Sequence, residues 1–305
     1  MVRIRGVHRP NNPKLPYFAY GPFKPGQVAF PIIKYFVKDF NEFELKYYAL
    51  GQRNGTPMLL ERGNHAKGYL LYFNDLKIDY KMGYDTESKI YDAYDFIRLS
   101  KSKSLYKWRE IEIAPGKRAN ILLAKKNKYG SPNVDDRENY IDNYDAKTNK
   151  MFYKTLEYLY SNLKNFDTSY FPNLQDFANL QMNYMFLWSS IDNFLSLGYG
   201  GWDQRKHIIE WSKWDEFKQA LLNNVKYTSS VKSTQNSRTY YLNPEKPSQS
   251  IQYYYQFRCN VVHSGKENMM DFSKLKKAFH DLLNIFWDVL DLTFYGKIRR
   301  TKYIF

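Results

Sequence analysis

The chain has 305 residues, of which 43% are hydrophobic, so it is long enough for two domains with buried cores. The formal net charge of +15 favours a polyanionic partner, most simply nucleic acid, although a Lys-rich coding bias explains most of that charge equally well. Cys259 is the single cysteine, which excludes an intramolecular disulfide and a cysteine-based metal site. The first residues lack the apolar core of a signal peptide, and no apolar run reaches the roughly 18 residues of a membrane span. We therefore expect a cytoplasmic protein without a membrane segment.

The first part of the chain predicts short strands. Residues 1–16 are an irregular lead-in with turn-forming prolines and asparagines. Apolar or alternating runs predict strands, and the segment near residue 95 predicts a helix. The predicted strands are 17–20, 40–50, 67–73, 108–113 and 119–124, and the predicted helix is 90–99. This half should therefore be mixed α and β.

Residues 20–26 (YGPFKPG) are similar to the Y-G-x-L-x-x-G opening of the gamma-glutamyl cyclotransferase-like fold. The similarity extends over 15–127 and also involves 68–72, 92–95 and 106–109. It implies a barrel-like mixed α/β domain at 1–127, with a ligand pocket formed by Tyr20, Gly21, Pro22, Phe23 and Asp95.

Two of these pocket residues depart from the cyclotransferase pattern. Asp95 takes the place of the catalytic glutamate and is one methylene shorter, a displacement that can cost about 100-fold in rate. Pro22 removes one N–H from the loop that, in the family, cups the substrate carboxylate. We therefore expect a ligand sensor, a scaffold or an enzyme of other specificity, while a solvated acid is the structural alternative for Asp95.

The polar stretch 128–148 lacks periodicity and contains Gly130 and Pro132, which predicts a linker between two domains. From residue 149 onward the apolar residues recur at a helical period. An all-α bundle is therefore expected over 149–305, with a mobile loop at 226–247. Its helices are predicted to begin at 149 and to cover 173–198, 207–223, 248–263 and 270–295.

The pattern R-x-x-x-x-H at Arg258 and His263 is the most informative part of this half. Arginine is a permanent cation that can fork onto a phosphate, and histidine can take and give a proton near neutral pH. Five helical residues turn about 500°, so the two side chains project roughly 140° apart unless His263 lies where the helix ends. The following Ser264-Gly265 favours such an end. Asn260 shares the face of His263.

This motif and its flanking apolar helices at 179–195 and 272–292 resemble the HEPN superfamily of helical nucleases and nucleotide-binding domains. The resemblance covers about 149–295. Asp192 matches the acidic residue that the family carries on the helix before the motif. The resemblance implies a metal-independent endoribonuclease without a cofactor, which leaves a 2′,3′-cyclic phosphate and a 5′-hydroxyl.

The motif residues take distinct roles in this hypothesis. His263 is the general base on a 2′-hydroxyl, and Arg258 steadies the pentacoordinate phosphorane. Asn260 holds the scissile phosphate or orients His263, and Asp192 positions Arg258 through a charge-assisted hydrogen bond. Structural alternatives are a helix cap for His263 and a surface ion pair for Arg258, with Asp192 or Asp288.

The resemblance also implies a homodimer whose two Arg/His sets face each other. Aromatic residues of the last helix are candidates for its interface, namely Phe279, Phe286 and Trp287. Stacking on unpaired bases is expected of Tyr254 and Tyr255, although core packing is the alternative for two of the three tyrosines at 253–255. Phosphate contacts are expected from Lys266, Arg299 and Arg300.

These observations together predict a toxin or phage-defence effector that cleaves RNA, with tRNA as one candidate substrate. Its first domain would bind a small-molecule ligand or a neutralising partner. Two alternatives remain open. One is a non-cleaving RNA- or nucleotide-binding module, favoured by Cys259 directly after Arg258, where the family commonly has a polar residue. The other is a gamma-glutamyl cyclotransferase-like enzyme.

Overall fold

The computed structural model describes residues 10–53, 56–74, 94, 97, 105–125, 133–134, 140–166, 174–199, 204–264 and 272–299. It is a mixed α+β structure, with a mixed sheet in the first part of the chain and a largely helical region after it. Cα packing divides the chain into two compact units. The first unit is Met1–Lys147 with Ser196–Trp202, and the second is Thr148–Leu195 with Asp203–Phe305. Among the described helices, none is long and apolar enough to cross a membrane.

The first unit is built on one sheet. Its strands are β1 (Tyr17–Ala19), β2 (Val37–Lys46), β3 (Ala49–Arg53), β4 (Thr56–Leu60), β5 (His65–Phe73), β6 (Tyr106–Ala114), β7 (Lys117–Ala124) and β8 (Asn133–Val134). The order is β2-β5-β1-β7-β4-β3-β8, with β6 also paired to β7. The pairs β1–β7 and β4–β7 are parallel and the others antiparallel. The predicted mixed sheet is confirmed. The described pairings branch at β7, and the barrel-like form stays a prediction.

The apolar strands were predicted well because they are buried. Phe18 on β1, Leu71 on β5 and Leu122 on β7 are all fully buried. The strand predicted at 40–50 is wrong at its far end, since β2 stops at Lys46. Tyr47 has a left-handed backbone with φ of 67° and is 79% exposed. This turn connects the end of β2, which pairs with β5, to the start of β3, which pairs with β4.

Helical structure in the first unit is short. It consists of α1 (Phe30–Ile33) and 3-10 helices at Gly21–Phe23 and Lys34–Phe36. Of the helix predicted at 90–99, the structure describes Tyr94 and Ile97, which are helical and buried. The Tyr94 hydroxyl donates to Leu15 O at 3.1 Å, so this segment contributes to the core of the unit.

The second unit contains the long helices. They are α2 (Tyr140–Asn165, whose first residues belong to the first unit), α3 (Leu174–Tyr199, whose last residues belong to the first unit), α4 (Gln204–Trp211), α5 (Asp215–Asn224), α6 (Pro247–Ser264) and α7 (Phe272–Tyr295). The apolar stripe predicted on the first of them is confirmed as core, since its residues are all buried: Phe152, Leu156, Leu159, Tyr160 and Leu163. Two boundaries differ from prediction. The helix α2 begins at Tyr140, so the end of the predicted linker is helical, and the helix predicted at 207–223 is interrupted between α4 and α5.

The second unit is not all-α, which corrects the prediction. The segment expected to be a loop contains an antiparallel hairpin of β9 (Ser229–Lys232) and β10 (Thr239–Leu242), with Val231 opposite Tyr240. Val231 and Leu242 are buried and hold the hairpin to the core. Ser250 on α6 donates to Asn243 O at 2.5 Å and accepts from Asn243 N at 3.0 Å, which ties the end of β10 to the first turn of α6.

Candidate functional site

Arg258 of α6 faces Asp192 of α3, as the sequence predicts. Both side chains are largely buried, with 21% of Arg258 and 15% of Asp192 exposed. Arg258 Nη2 lies 3.8 Å from Asp192 Oδ2. That separation is an ion pair and exceeds the length of a hydrogen bond, so the expected charge-assisted hydrogen bond is corrected to a looser pairing.

Two polar groups and two rings surround the guanidinium. Arg258 Nη1 donates to the Tyr255 hydroxyl at 3.3 Å, and Nη2 donates to Gln204 Oε1 at 3.5 Å. The guanidinium carbon lies 5.2 Å from the centre of the Tyr255 ring, a cation–π distance. The Tyr255 ring packs edge-on against the buried Trp188 at 5.5 Å. Tyr255, expected to stack on a base, therefore helps to hold Arg258.

One donor of this arginine is unused. Arg258 Nε is buried and has no hydrogen-bond partner among the described residues. A buried donor of a charged group is costly to leave unpaired. The guanidinium is thus held by long contacts on its outer nitrogens and keeps hydrogen-bonding capacity at its inner one.

Burial sets the ionisation of the groups around Arg258. It raises the pKa of Asp192, and the nearby Arg258 charge opposes this rise. It also raises the pKa of Cys259 above its usual 9.0 and the pKa of Tyr255 above its usual 10.0, again with Arg258 in opposition. The thiol and the phenol are therefore neutral near pH 7, so Cys259 is not a thiolate nucleophile there.

His263 lies in the last turn of α6, which ends at Ser264 as Ser264-Gly265 predicts. Its backbone is about 7.5 Å along the helix axis from Arg258. The side chain of His263 lies outside the described residues, as do Lys266, Arg300 and Asp95. Their expected roles stay predictions.

The side chain of Asn260 is hydrogen-bonded to the hairpin. Its Nδ2 donates to Lys232 O at 2.8 Å, and its Oδ1 accepts from Thr234 N at 3.1 Å and from Thr234 Oγ1 at 3.3 Å. The same oxygen accepts from Gln256 Nε2 at 2.6 Å. Asn260 therefore braces the end of β9 against α6, which corrects its expected role at the phosphate. Its hairpin partners Lys232 and Thr234 are more than 20 positions away in the sequence, so spacing alone does not predict them.

Tyr254 belongs to the core. It is fully buried, as is Tyr253 beside it, so the core alternative applies to these two of the three tyrosines. Tyr184 donates its hydroxyl proton to Tyr254 O at 2.7 Å. The expected base stacking by Tyr254 is therefore wrong, because its ring faces the neighbouring helices and not solvent.

Two other expectations concern the last helix and the residues that follow it. Arg299 N donates to Asp291 Oδ2 at 2.8 Å, and the Arg299 guanidinium contacts the buried Asp291 at 3.4 Å and lies 3.2 Å over the Tyr295 ring. Arg299 is thus paired within the chain while its side chain remains 42% exposed, and its expected phosphate contact stays a prediction. Phe279 and Phe286 are fully buried and cannot form the expected dimer interface.

The residues of the expected first-unit pocket lie in or against its core. The Tyr20 hydroxyl donates to Leu122 O at 2.5 Å, and Phe23 is fully buried. Pro22 O accepts from Ala29 N at 2.8 Å. Gly21 has φ of 62°, which favours glycine, and is closely packed against Pro57 of β4. Tyr20 and Phe23 therefore stabilise the unit, which corrects their expected role as pocket lining.

A groove in the second unit was not predicted. It lies between β10 and the first turns of α6, has a volume of about 460 Å³, and is lined by Arg238, Thr239, Tyr240, Tyr241, Lys246, Pro247, Ser248, Gln249 and Gln252. The sequence signal is a short interleaving of basic and aromatic residues across a segment that otherwise resembles a polar loop.

Comparison of the chain with protein-family models, curated proteins and solved structures gives no match in any of the three. Within the described ranges, no group of three or more His, Cys, Asp or Glu side chains is placed to hold a metal ion. Functional inference for this protein therefore rests on its own residues, chiefly the Arg258–Asp192 pair and the groove.

Proposed function

We propose that this protein is a metal-independent endoribonuclease of the HEPN type. Its site would consist of Arg258 and His263 on α6 with Asp192 on α3. The observation that carries the proposal is the largely buried Arg258–Asp192 pair, in which the guanidinium retains an unpartnered Nε. The pair joins the two helices on which the HEPN resemblance depends.

The contacts of Arg258 favour a ligand role over a purely structural one. Its three polar contacts are 3.3, 3.5 and 3.8 Å long. Charge-assisted N–H···O bonds are typically about 2.7 to 2.9 Å, so none of these contacts is optimal. A phosphate offers shorter, forked bonds to the same guanidinium. Because the surroundings are largely buried, such bonds are also less weakened by water.

The proposed reaction uses His263 as the base. His263 takes the proton from a ribose 2′-hydroxyl, and the 2′-oxygen attacks the adjacent phosphorus. The bond from phosphorus to the 5′-oxygen breaks, and that oxygen receives a proton. Arg258 stabilises the negative charge of the phosphorane, and Asp192 with Tyr255 keeps Arg258 in place. The products are a 2′,3′-cyclic phosphate and a 5′-hydroxyl.

We further propose that the protein is a toxin or phage-defence effector whose activity is regulated. The proposal includes a homodimer through the helical unit, formed by surfaces other than the buried Phe279 and Phe286. It also includes a gamma-glutamyl cyclotransferase-like first unit that senses a small molecule or binds a neutralising partner. The target is RNA, with tRNA as one candidate. A non-cleaving RNA-binding module is the second candidate, favoured by the neutral Cys259 directly after Arg258.

The test is RNA cleavage in EDTA. Total RNA and purified tRNA are incubated with the wild type, His263→Ala, Arg258→Gln and the control Arg118→Gln, whose residue is an exposed arginine on the sheet of the first unit. We expect cuts that end in 2′,3′-cyclic phosphate. Removal of the base should lower the rate by about 10² to 10⁴-fold, while the control stays at the wild-type rate.

Two results would overturn the nuclease proposal. One is cleavage that persists with His263→Ala. The other is intact RNA with every variant together with wild-type growth of cells that express the protein. Intact RNA that nevertheless binds the wild type, with affinity lost in Arg258→Gln, would instead establish the binding module.

A further inference from the structure

The groove between β10 and α6 combines positive charge with exposed rings. Arg238 and Lys246 are both exposed at its rim, and neither forms an ion pair with another residue that the structure describes. No acidic residue is among its lining residues. The groove therefore suits an anionic ligand better than a cationic one.

Aromatic faces distinguish the groove from a simple basic patch. Tyr241 is 52% exposed, and Tyr240 beside it is half-buried with the Arg238 guanidinium 5.5 Å from its ring centre. Exposed rings and cations that line one groove are the combination that binds unpaired nucleic-acid strands, because bases stack on the rings and phosphates contact the cations. An inorganic anion would make no use of the rings.

The size and position of the groove agree with a short strand. Its volume of about 460 Å³ is within the range of small-ligand sites. Gln252 at its inner end is six residues before Arg258 on the same helix. That spacing is about 9 Å along the axis and about 120° around it. An RNA strand with one nucleotide in the groove would need only a short path around α6 to reach Arg258.

We propose that this groove binds an unpaired nucleotide of the RNA strand, with Tyr241 stacking on the base and Arg238 and Lys246 contacting the flanking phosphates. The choice of RNA rests on the proposed function. The groove then selects single-stranded substrate beside the cleavage site. Duplex RNA is a poor ligand, because its bases are already stacked on one another.

The test is binding of a fluorescent uridine hexamer to the full chain carrying His263→Ala, so that cleavage does not interfere. Anisotropy is measured from about 50 to 200 mM salt. Tyr241→Ala should weaken binding about tenfold without changing the salt dependence, and Tyr241→Phe should restore it. Arg238→Gln should reduce the slope of log K against log salt by about 0.7.

Each control variant removes an exposed ring or an exposed positive charge outside the groove. Tyr158→Ala removes a tyrosine of similar exposure, 57%, on α2, and Lys274→Gln removes an exposed charge on α7. Both should bind the hexamer within about twofold of the parent. Thermal melting of each variant confirms that it is folded.

The inference falls if the parent does not bind the hexamer, if Tyr241→Ala binds as tightly as the parent, or if duplex RNA binds equally well. Its failure is separable from that of the nuclease. Cleavage by the wild type with unchanged binding in the Tyr241 and Arg238 variants would refute the groove alone. Intact RNA together with wild-type growth of expressing cells, but with hexamer binding lost in Tyr241→Ala, would refute the nuclease and support the groove.

Discussion

Replacement of Asn260 by alanine separates a structural brace from a catalytic group. In the structure Asn260 makes two bonds to backbone groups of the hairpin, to Lys232 O and from Thr234 N, and one to the Thr234 hydroxyl. Asn260→Ala removes all three. The hairpin end should then open more readily, while Arg258 and His263 keep their places on α6.

The size of the effect follows from the two backbone bonds. Each contributes about 0.5 to 1.5 kcal/mol, and water replaces part of the loss because these bonds are exposed. A total of about 1 to 2 kcal/mol is therefore expected for local opening. Since 1.4 kcal/mol is tenfold, the Thr234 amide should exchange its hydrogen about 5 to 30 times faster in the variant.

The assay is native-state hydrogen exchange resolved at Thr234, alongside RNA cleavage. Gln252→Ala is the control, because its side-chain amide donates within α6, to Ser248 O at 2.9 Å, and not to the hairpin among the described residues. It should change Thr234 exchange by less than about threefold. Unchanged exchange in Asn260→Ala together with a rate loss of about 100-fold or more would refute the brace and restore the phosphate-binding role.

Three further predictions concern single side chains. Tyr254→Phe removes a buried hydroxyl without a partner among the described residues, so urea denaturation should show a gain of about 1 kcal/mol, and a comparable loss would contradict this. Gly21→Ala places a Cβ 3.0 Å from Pro57 at φ of 62°, so the free energy of unfolding should fall by about 1 to 2 kcal/mol, and an unchanged melting temperature would speak against it. Burial raises the pKa of Asp192 from 3.8, against the pull of Arg258, so the folded chain holds this proton more tightly than the unfolded one. The stability that this proton contributes is fully present below about pH 3.8 and is lost as the pH rises through the raised pKa. The stability of Asp192→Asn should therefore increase relative to that of the wild type as the pH rises across that window. A difference in stability that does not change with pH would exclude this cause.

Hydrophobic period determined the main elements of this protein from the sequence. The long helices α2, α3, α6 and α7 follow apolar stripes, and β1, β5 and β7 follow apolar runs. Such patterns are local, because a residue one turn or two positions away along the chain already shares the buried face. The pairing of Arg258 with Asp192 was also predicted, from the HEPN resemblance and as one of the two ion-pair alternatives for Arg258.

The hairpin of β9 and β10 was not predicted, because its hydrophobic pattern is weak. Its strands are Ser-, Thr- and Tyr-rich, and only Val231 and Leu242 are buried, so the period of two is too weak to read. Because the hairpin was not predicted, the groove was not predicted either. The groove exists only where β10 meets the first turns of α6.

Side-chain partners were decided by the tertiary structure alone. Tyr254 and Tyr255 are adjacent in the sequence, yet one enters the core and the other holds Arg258, because successive helical residues point about 100° apart. Asn260 and Arg299 are residue types that often bind ligands, but in the fold Asn260 donates to Lys232 O and Arg299 pairs with Asp291. The sequence by itself determined the long helices and the buried strands, through local burial. The fold decided which polar groups remain available to a ligand, because that depends on distant elements meeting in space.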